Sequence, residues 1–294
     1  MTTPTSPPGC SPPATPARPS STSPSTRRTA RSTSAASKAL SHHAPSSSPS
    51  ACASNAGRHD QSRPAHRRPR PNRSALTWID AVHYAPHGLI DIKAIGCDFL
   101  VCSAYKFFGP HVGIFWGRRD LLEQIQPYKL RPCANEIPGR WMTGTQNHEG
   151  IAGVTAAIDY IAEIGKAGQS TIGTRRDQLK SAFASIVQHE RELGAKLIAG
   201  LQRFPGLKIW GITNPDRFHE RVPTISVTHI VKSPRDLATQ LAERGLCTWP
   251  GNHYALPLTE TLALEPHGTL RIGLVHYNTA AEVDRLLSAL AEIV

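Results

Sequence analysis

Acidic side chains are almost missing from the first quarter of this 294-residue chain: residues 1–74 hold Asp60 alone against 11 Lys and Arg. The whole chain carries 33 basic and 22 acidic residues, so everything after residue 74 holds 22 and 21 and is nearly neutral. The formal charge of +11 therefore belongs almost wholly to the first quarter. That removes most of the case for a nucleic-acid-binding fold, which would carry its basic residues on the part able to fold. Apolar periodicity is missing from 1–74 as well. Ser/Thr/Pro clusters and Arg runs such as Arg67-Arg68-Pro69-Arg70 stand in its place. Such a stretch cannot bury enough surface to offset the entropy of ordering it, so 1–74 is expected to be a disordered segment.

Other absences narrow the class further. There is no continuous apolar core of the kind a secretory signal needs, and the many prolines break the amphipathic helix of a transit peptide. No run approaches the ~18 apolar residues of a membrane span. The chain is expected to be soluble and cytoplasmic, with no membrane partner. Six cysteines, at 10, 52, 97, 102, 133 and 247, include no CxxC pair, which agrees with a reducing compartment and a core built without disulfides. His83 and His87 have the spacing of two ligands on one helical face, but Pro86 between them argues against a helix. No metal site is expected.

From about residue 75 the pattern becomes that of an ordered α/β protein. Strand-like runs fall at 76–82, 98–103 and 112–117, and 119–126 reads as a short helix. Ile151, Val154, Ile158 and Ile161 recur at helical spacing, as do Leu179, Phe183, Ile186, Leu193, Leu197 and Leu201. The second series describes a long helix bridging two domains. Strands are expected near 207–212, 222–228 and 269–275. A helix is started by Ser233-Pro234 and stopped by Gly245, and the last helix opens on the capping-box pattern Thr279-Ala280-Ala281-Glu282.

Two of these strands each deliver a reactive group at the carboxyl end. Leu76-Thr77-Trp78-Ile79 ends in Asp80, and Asp98-Phe99-Leu100-Val101-Cys102 runs into Ser103-Ala104-Tyr105-Lys106. Open α/β sheets place their ligands at that edge. An amine and a carboxylate held there suit pyridoxal phosphate, with Lys106 forming the Schiff base and Asp80 holding the pyridinium proton.

Four motifs extend the likeness: Asp80-Ala81-Val82-His83, Ser103-Ala104-Tyr105-Lys106, Gly144-Thr145-Gln146-Asn147, and Arg271-Ile272-Gly273-Leu274-Val275-His276-Tyr277-Asn278-Thr279. In order and placement, residues 75 to the C-terminus resemble the class V aminotransferases, most of all their cysteine desulfurase-like branch. The resemblance implies an α/β fold: part of a cofactor-binding large domain with a mostly parallel sheet over 75–170, then a bridging helix and small α+β domain over 171–294. It implies that His83 lies near the cofactor's phenolic oxygen, that Ser103 and Tyr105 bind its phosphate, and that Thr145 reaches the phosphate of a neighbouring subunit in a homodimer. Arg271 matches the arginine that clamps the carboxylate of a small amino-acid substrate, a task suited to a bidentate guanidinium.

The chain departs from that pattern twice. Desulfurases present a persulfide-forming cysteine on a loop ahead of the arginine strand, and here Gly251-Asn252-His253-Tyr254-Ala255-Leu256-Pro257 puts Tyr254 in its place. A phenol cannot take up sulfur in that way, and the nearest thiol, Cys247, is expected on a strand. Elimination, racemisation and transamination remain as outcomes at the substrate Cα. The second departure is that 1–74 shows neither the Gly/Thr-rich phosphate loop nor the ring-stacking aromatic of the family. Ala53-Ser54-Asn55-Ala56 resembles the family's Ser-Asn motif, in which Asn55 would contact cofactor or substrate. The Arg/Pro/His-rich stretch 57–75 cannot be the helix that should follow.

One expectation is that much of 1–74 is translated out of frame, with short in-frame islands. Resequencing the gene would decide this, and an uninterrupted frame giving this same protein would sink it. The rival is a genuine basic extension. Two other functional classes remain beside the enzyme: a partner subunit or remnant that keeps the fold without cofactor chemistry, and a basic-tailed nucleic-acid binder resting on charge alone.

Overall fold

Short runs rich in β-branched and aromatic residues favour the pleated, half-buried surface of a sheet, and the first two such runs become neighbouring strands. The computed structural model describes residues 46–51, 75–142, 144–166 and 173–294. In it, β1 (Ser46–Ala51), β2 (Ala75–Asp80), β3 (Phe99–Ser103) and β4 (Gly113–Gly117) form one sheet in that order. The first three strands run parallel, and β4 returns antiparallel to β3. Between β2 and β3 lies α1 (Ile92–Ile95), a single turn opened by Asp91, whose side chain accepts from the Ala94 N–H. After β4 comes α2 (Arg119–Gln124).

β1 is a short strand inside the stretch 1–74. Its pairing with β2 uses backbone groups, which a residue carries whatever its side chain, so a Ser/Pro composition did not announce it. Pro49 pairs with Trp78, and proline is tolerated there because β1 is an edge strand of the described sheet.

Helices α3 (His148–Lys166) and α4 (Arg175–Leu201) cover one face of this sheet. Ala157, Ile161, Phe183 and Ile186 from the helices meet Leu100, Cys102 and Ala104 in the first core. At Gly165 a Cβ would stand 1.9 Å from the Gln178 carbonyl oxygen, so α3 and α4 touch backbone to backbone. On the opposite face Trp78 and Phe115 stack at 5.4 Å and remain more than a third exposed.

The 27 residues of α4 serve two cores. Its first half enters the first, and Leu193, Leu197, Ile198 and Leu201 enter the second. There they meet the antiparallel sheet of β5 (Leu207–Trp210), β6 (Thr224–His229), β8 (Thr269–Gly273) and β7 (Trp249–Gly251), in that spatial order. Helices α5 (Pro234–Glu243) and α7 (Ala280–Ile293) add buried Leu237, Leu241, Val283 and Leu290. Both open on full capping boxes, Ser233 with Asp236 and Thr279 with Glu282.

Three small elements escaped the sequence reading: α1, β7 and α6 (Leu256–Thr261). Each is too short to show a period. Cys247 is a correction. It is exposed in the connector ahead of β7 rather than on a strand. Among the described residues no helix is long and apolar enough to cross a membrane.

Candidate active site

Because β2 and β3 are parallel, their carboxyl ends emerge at the same edge of the sheet. Asp80 is the last residue of β2 and stands in register with Val101 of β3. Ser103 ends β3, and a 3-10 turn over Ala104–Phe107 follows, carrying Tyr105 and Lys106. Buried Ala104 and Phe107 anchor the turn in the first core, leaving Tyr105 exposed and Lys106 half-buried. Phe108 closes it in the left-handed region (φ 71°), its N–H donating to the Ala104 carbonyl. Pro110 then runs against α3 at Gly153, where a Cβ would come within 3.0 Å of the proline ring.

The charges at this edge have local partners. Asp80 is exposed, and its Oδ1 accepts from the Val82 N–H at 2.9 Å. Burial, and then the Asp80 charge, raise the pKa of the neighbouring Cys102 thiol. The Lys106 ammonium lies 5.1 Å from the centre of the Tyr105 ring, which stacks on His111 at 4.9 Å.

Beyond Asp80 the chain turns through His83 and His87. The Nε2 of His83 is 3.4 Å from the Thr224 hydroxyl on β6. The Nδ1 of His87 is 2.9 Å from Glu190 Oε2 on α4, with both side chains buried. These contacts fasten the turn after Asp80 to the second sheet and to the bridging helix. Among the described residues no group of three or more His, Cys, Asp or Glu is placed to hold a metal ion.

Arg271 lies in β8, flanked in register by Ser226 and Trp249. Its guanidinium is half-buried and makes no hydrogen bond or ion pair among the described residues, and burial lowers its pKa. Five residues on, His276 meets the Phe108 ring edge-on at 4.8 Å and bonds Tyr160 of α3 through Nε2 at 2.7 Å. The segment following Arg271 is thereby joined to the residue two positions beyond Lys106.

Asp80, Ser103, Tyr105 and Lys106 thus share one sheet edge, with His83 on the turn beside it and the Arg271 strand tied in through Thr224 and His276. Thr145 is exposed in the loop between Gly144 (φ 67°) and α3, with no hydrogen bond among the described residues. Asn55 lies outside the described residues. Tyr254 stands fully exposed at φ 61°, directly after His253 at φ 55°. Sequence reasoning did not single out Phe108, Tyr160 or Glu190. Phe108 sits two residues from Lys106, which was a usable signal, whereas Tyr160 and Glu190 meet their histidine partners from 116 and 103 residues away.

Comparison with known proteins gives a consistent picture. The family model for aminotransferase class-V matches residues 65–286. A probable cysteine desulfurase of Xylella fastidiosa is 31% identical over 233 residues, covering 75% of this chain and 50% of that protein. The aminotransferase-like protein FGM3 of Gibberella zeae is 29% identical over 221 residues, covering 74% and 51%. The chain spans about half the length of the curated relatives it matches. Among solved structures, the apo cysteine desulfurase of Thermococcus onnurineus superposes with a TM-score of 0.69 at 22% identity, over 84% of this chain and 60% of that one. The cysteine desulfurase CsdA of Escherichia coli gives 0.67 at 23%, over 84% and 58%.

Proposed function

This chain belongs to the class-V aminotransferase family, and we propose on that basis that it holds pyridoxal phosphate and acts on a small amino acid. The observation that supports this most is the placing of Asp80 and Lys106 at the carboxyl ends of adjacent parallel strands. The donor set fits the group: a carboxylate for a ring nitrogen, an amine for an aldehyde, and hydroxyls for a phosphate. When bound, the cofactor supplies a sink for the electron pair left at the substrate Cα.

In this reading Lys106 would hold the cofactor covalently through Nζ, and, once the substrate amine had displaced it from that bond, the freed Nζ amine would take and return the Cα proton. Asp80 keeps the proton on the ring nitrogen. His83 serves the phenolic oxygen, while Ser103 and Tyr105 donate to the phosphate. Thr145 serves the phosphate of a second subunit in a homodimer, and Asn55 adds a contact to cofactor or substrate. Arg271, half-buried and without a counter-ion among the described residues, orients the substrate carboxylate. Tyr254 cannot accept sulfur, and Cys247 sits in the connector before β7. The chemistry proposed is therefore elimination, racemisation or transamination rather than desulfuration through that loop.

A second reading, a partner subunit without cofactor chemistry, is favoured by the exposure of Asp80 together with the open aromatic face at Trp78 and Phe115. Absorbance separates the two. Purified protein given pyridoxal phosphate is expected to gain a visible band that Lys106→Ala abolishes. A protein that stays colourless at saturating cofactor would overturn the first reading and leave the second.

A further inference from the structure

A cleft of about 110 Å³ lies between α4, the turn at Tyr84–His87 and the segment Phe218–Pro223. Neither Lys106 nor Arg271 lines it. Glu190 does, only 2% exposed. His87 takes its Oε2, but its Oε1 is buried with no hydrogen-bond partner among the described residues. A buried carboxylate oxygen without a donor is costly to keep.

The same cleft is lined by two guanidinium groups that have no carboxylate partner among the described residues. Arg191 makes no hydrogen bond or ion pair among the described residues. Among the described residues Arg221 donates only to the carbonyls of Ile212, Val222 and Thr224. An acceptor lacking a donor beside cations lacking an anion is the complement of a zwitterion. Ile198 and Phe218 add apolar wall. The volume far exceeds the roughly 10–15 Å³ that one water needs, and approaches that of cavities known to take a benzene-sized guest. The guest is therefore small.

We propose that this cleft binds a short-chain zwitterionic α-amino acid, its ammonium on Glu190 and its carboxylate on Arg191 and Arg221. Tyr84 and His87 would place that guest against the turn that leaves Asp80. The proposal rests on the cleft and is independent of the cofactor reading.

The test is a calorimetric titration of the 294-residue chain carrying Lys106→Ala and Arg271→Ala, near neutral pH and without cofactor, using L-alanine as the probe. Saturable binding is expected, weakened at least about tenfold by Arg191→Ala and by Glu190→Gln, as for loss of one partner of a charge pair. Propionate and ethylamine, each retaining one of the two charges, are expected to bind at least about tenfold more weakly than L-alanine. Failure of L-alanine to saturate would overturn the proposal. So would propionate binding as tightly as L-alanine, which marks a simple anion site, or Arg191→Ala leaving affinity unchanged. Arg191 is exposed, so its substitution keeps the test readable even where Glu190→Gln fails to fold.

Discussion

The phenol oxygen of Tyr160 lies 2.7 Å from the Nε2 of His276, joining α3 to the segment that follows Arg271. The same imidazole rests edge-on against Phe108, which closes the turn carrying Lys106. One ring therefore touches the helix over the first sheet and the turn at its active edge. Tyr160→Phe removes the bond and keeps the ring, so a loss of about 1 kcal/mol in urea unfolding is expected.

Acid should weaken the same junction. Burial, followed by the charges of His189 and His87, holds the His276 imidazole below the usual histidine range. The folded chain thus favours the neutral ring more than the unfolded chain does. That contribution is fully present above the unfolded value of 6.5 and is lost as pH falls through the lower folded one. The thermal midpoint is expected to drop as pH falls below 6.5, and His276→Gln should flatten part of that drop.

Gly165→Ala tests the backbone contact between α3 and α4. The added methyl would stand 1.9 Å from the Gln178 carbonyl oxygen, which is backbone and cannot swing away. The helices must separate, at an expected cost of about 1–3 kcal/mol in the unfolding free energy. Ala157→Gly on the same helix is the control, since it enlarges space rather than filling it.

Asp98 holds the start of β3 to β2. It is 1% exposed, accepts from the Thr77 N–H at 2.8 Å and hydroxyl at 3.0 Å, and takes the Arg118 guanidinium at 2.9 Å. Asp98→Ala takes the acceptor from the Thr77 N–H and hydroxyl while Arg118, 44% exposed, keeps Asp120, and should cost about 1–3 kcal/mol by chemical denaturation. Asp98→Asn retains the Thr77 contacts and should cost less.

Arg271 bears on the proposed substrate. Its guanidinium has no counter-ion among the described residues, so Arg271→Ala removes no structural ion pair and should leave the unfolding midpoint nearly unchanged. Amino-acid-induced spectral change of the cofactor-loaded protein should need far higher ligand concentrations. Arg271→Lys should restore little, because an ammonium lacks the planar fork that matches a carboxylate.

The elements around the site were legible because their signals are local. Leu76 to Asp80 and Phe99 to Ser103 have strand composition, and the capping boxes at Ser233 and Thr279 satisfy helix ends with side chains three residues apart. The repeat from Leu179 to Leu201 announced the bridging helix. β1 was not legible, because a strand recruited by backbone pairing needs no pattern of its own. β7 and α6 were too short to show a period.

By itself, then, the chain's order of residues determined that an acid and an amine would end two successive strands, and that a long helix would span two apolar cores. Sterics and periodicity act between near neighbours, and they need no knowledge of the rest of the molecule. Only the tertiary structure decided that Asp80 and Lys106 leave the same sheet edge and that, among the described residues, Arg271 is without a counter-ion and Glu190 keeps one oxygen unmatched. Those facts depend on which distant surfaces meet, and close packing of two cores against one helix settles that.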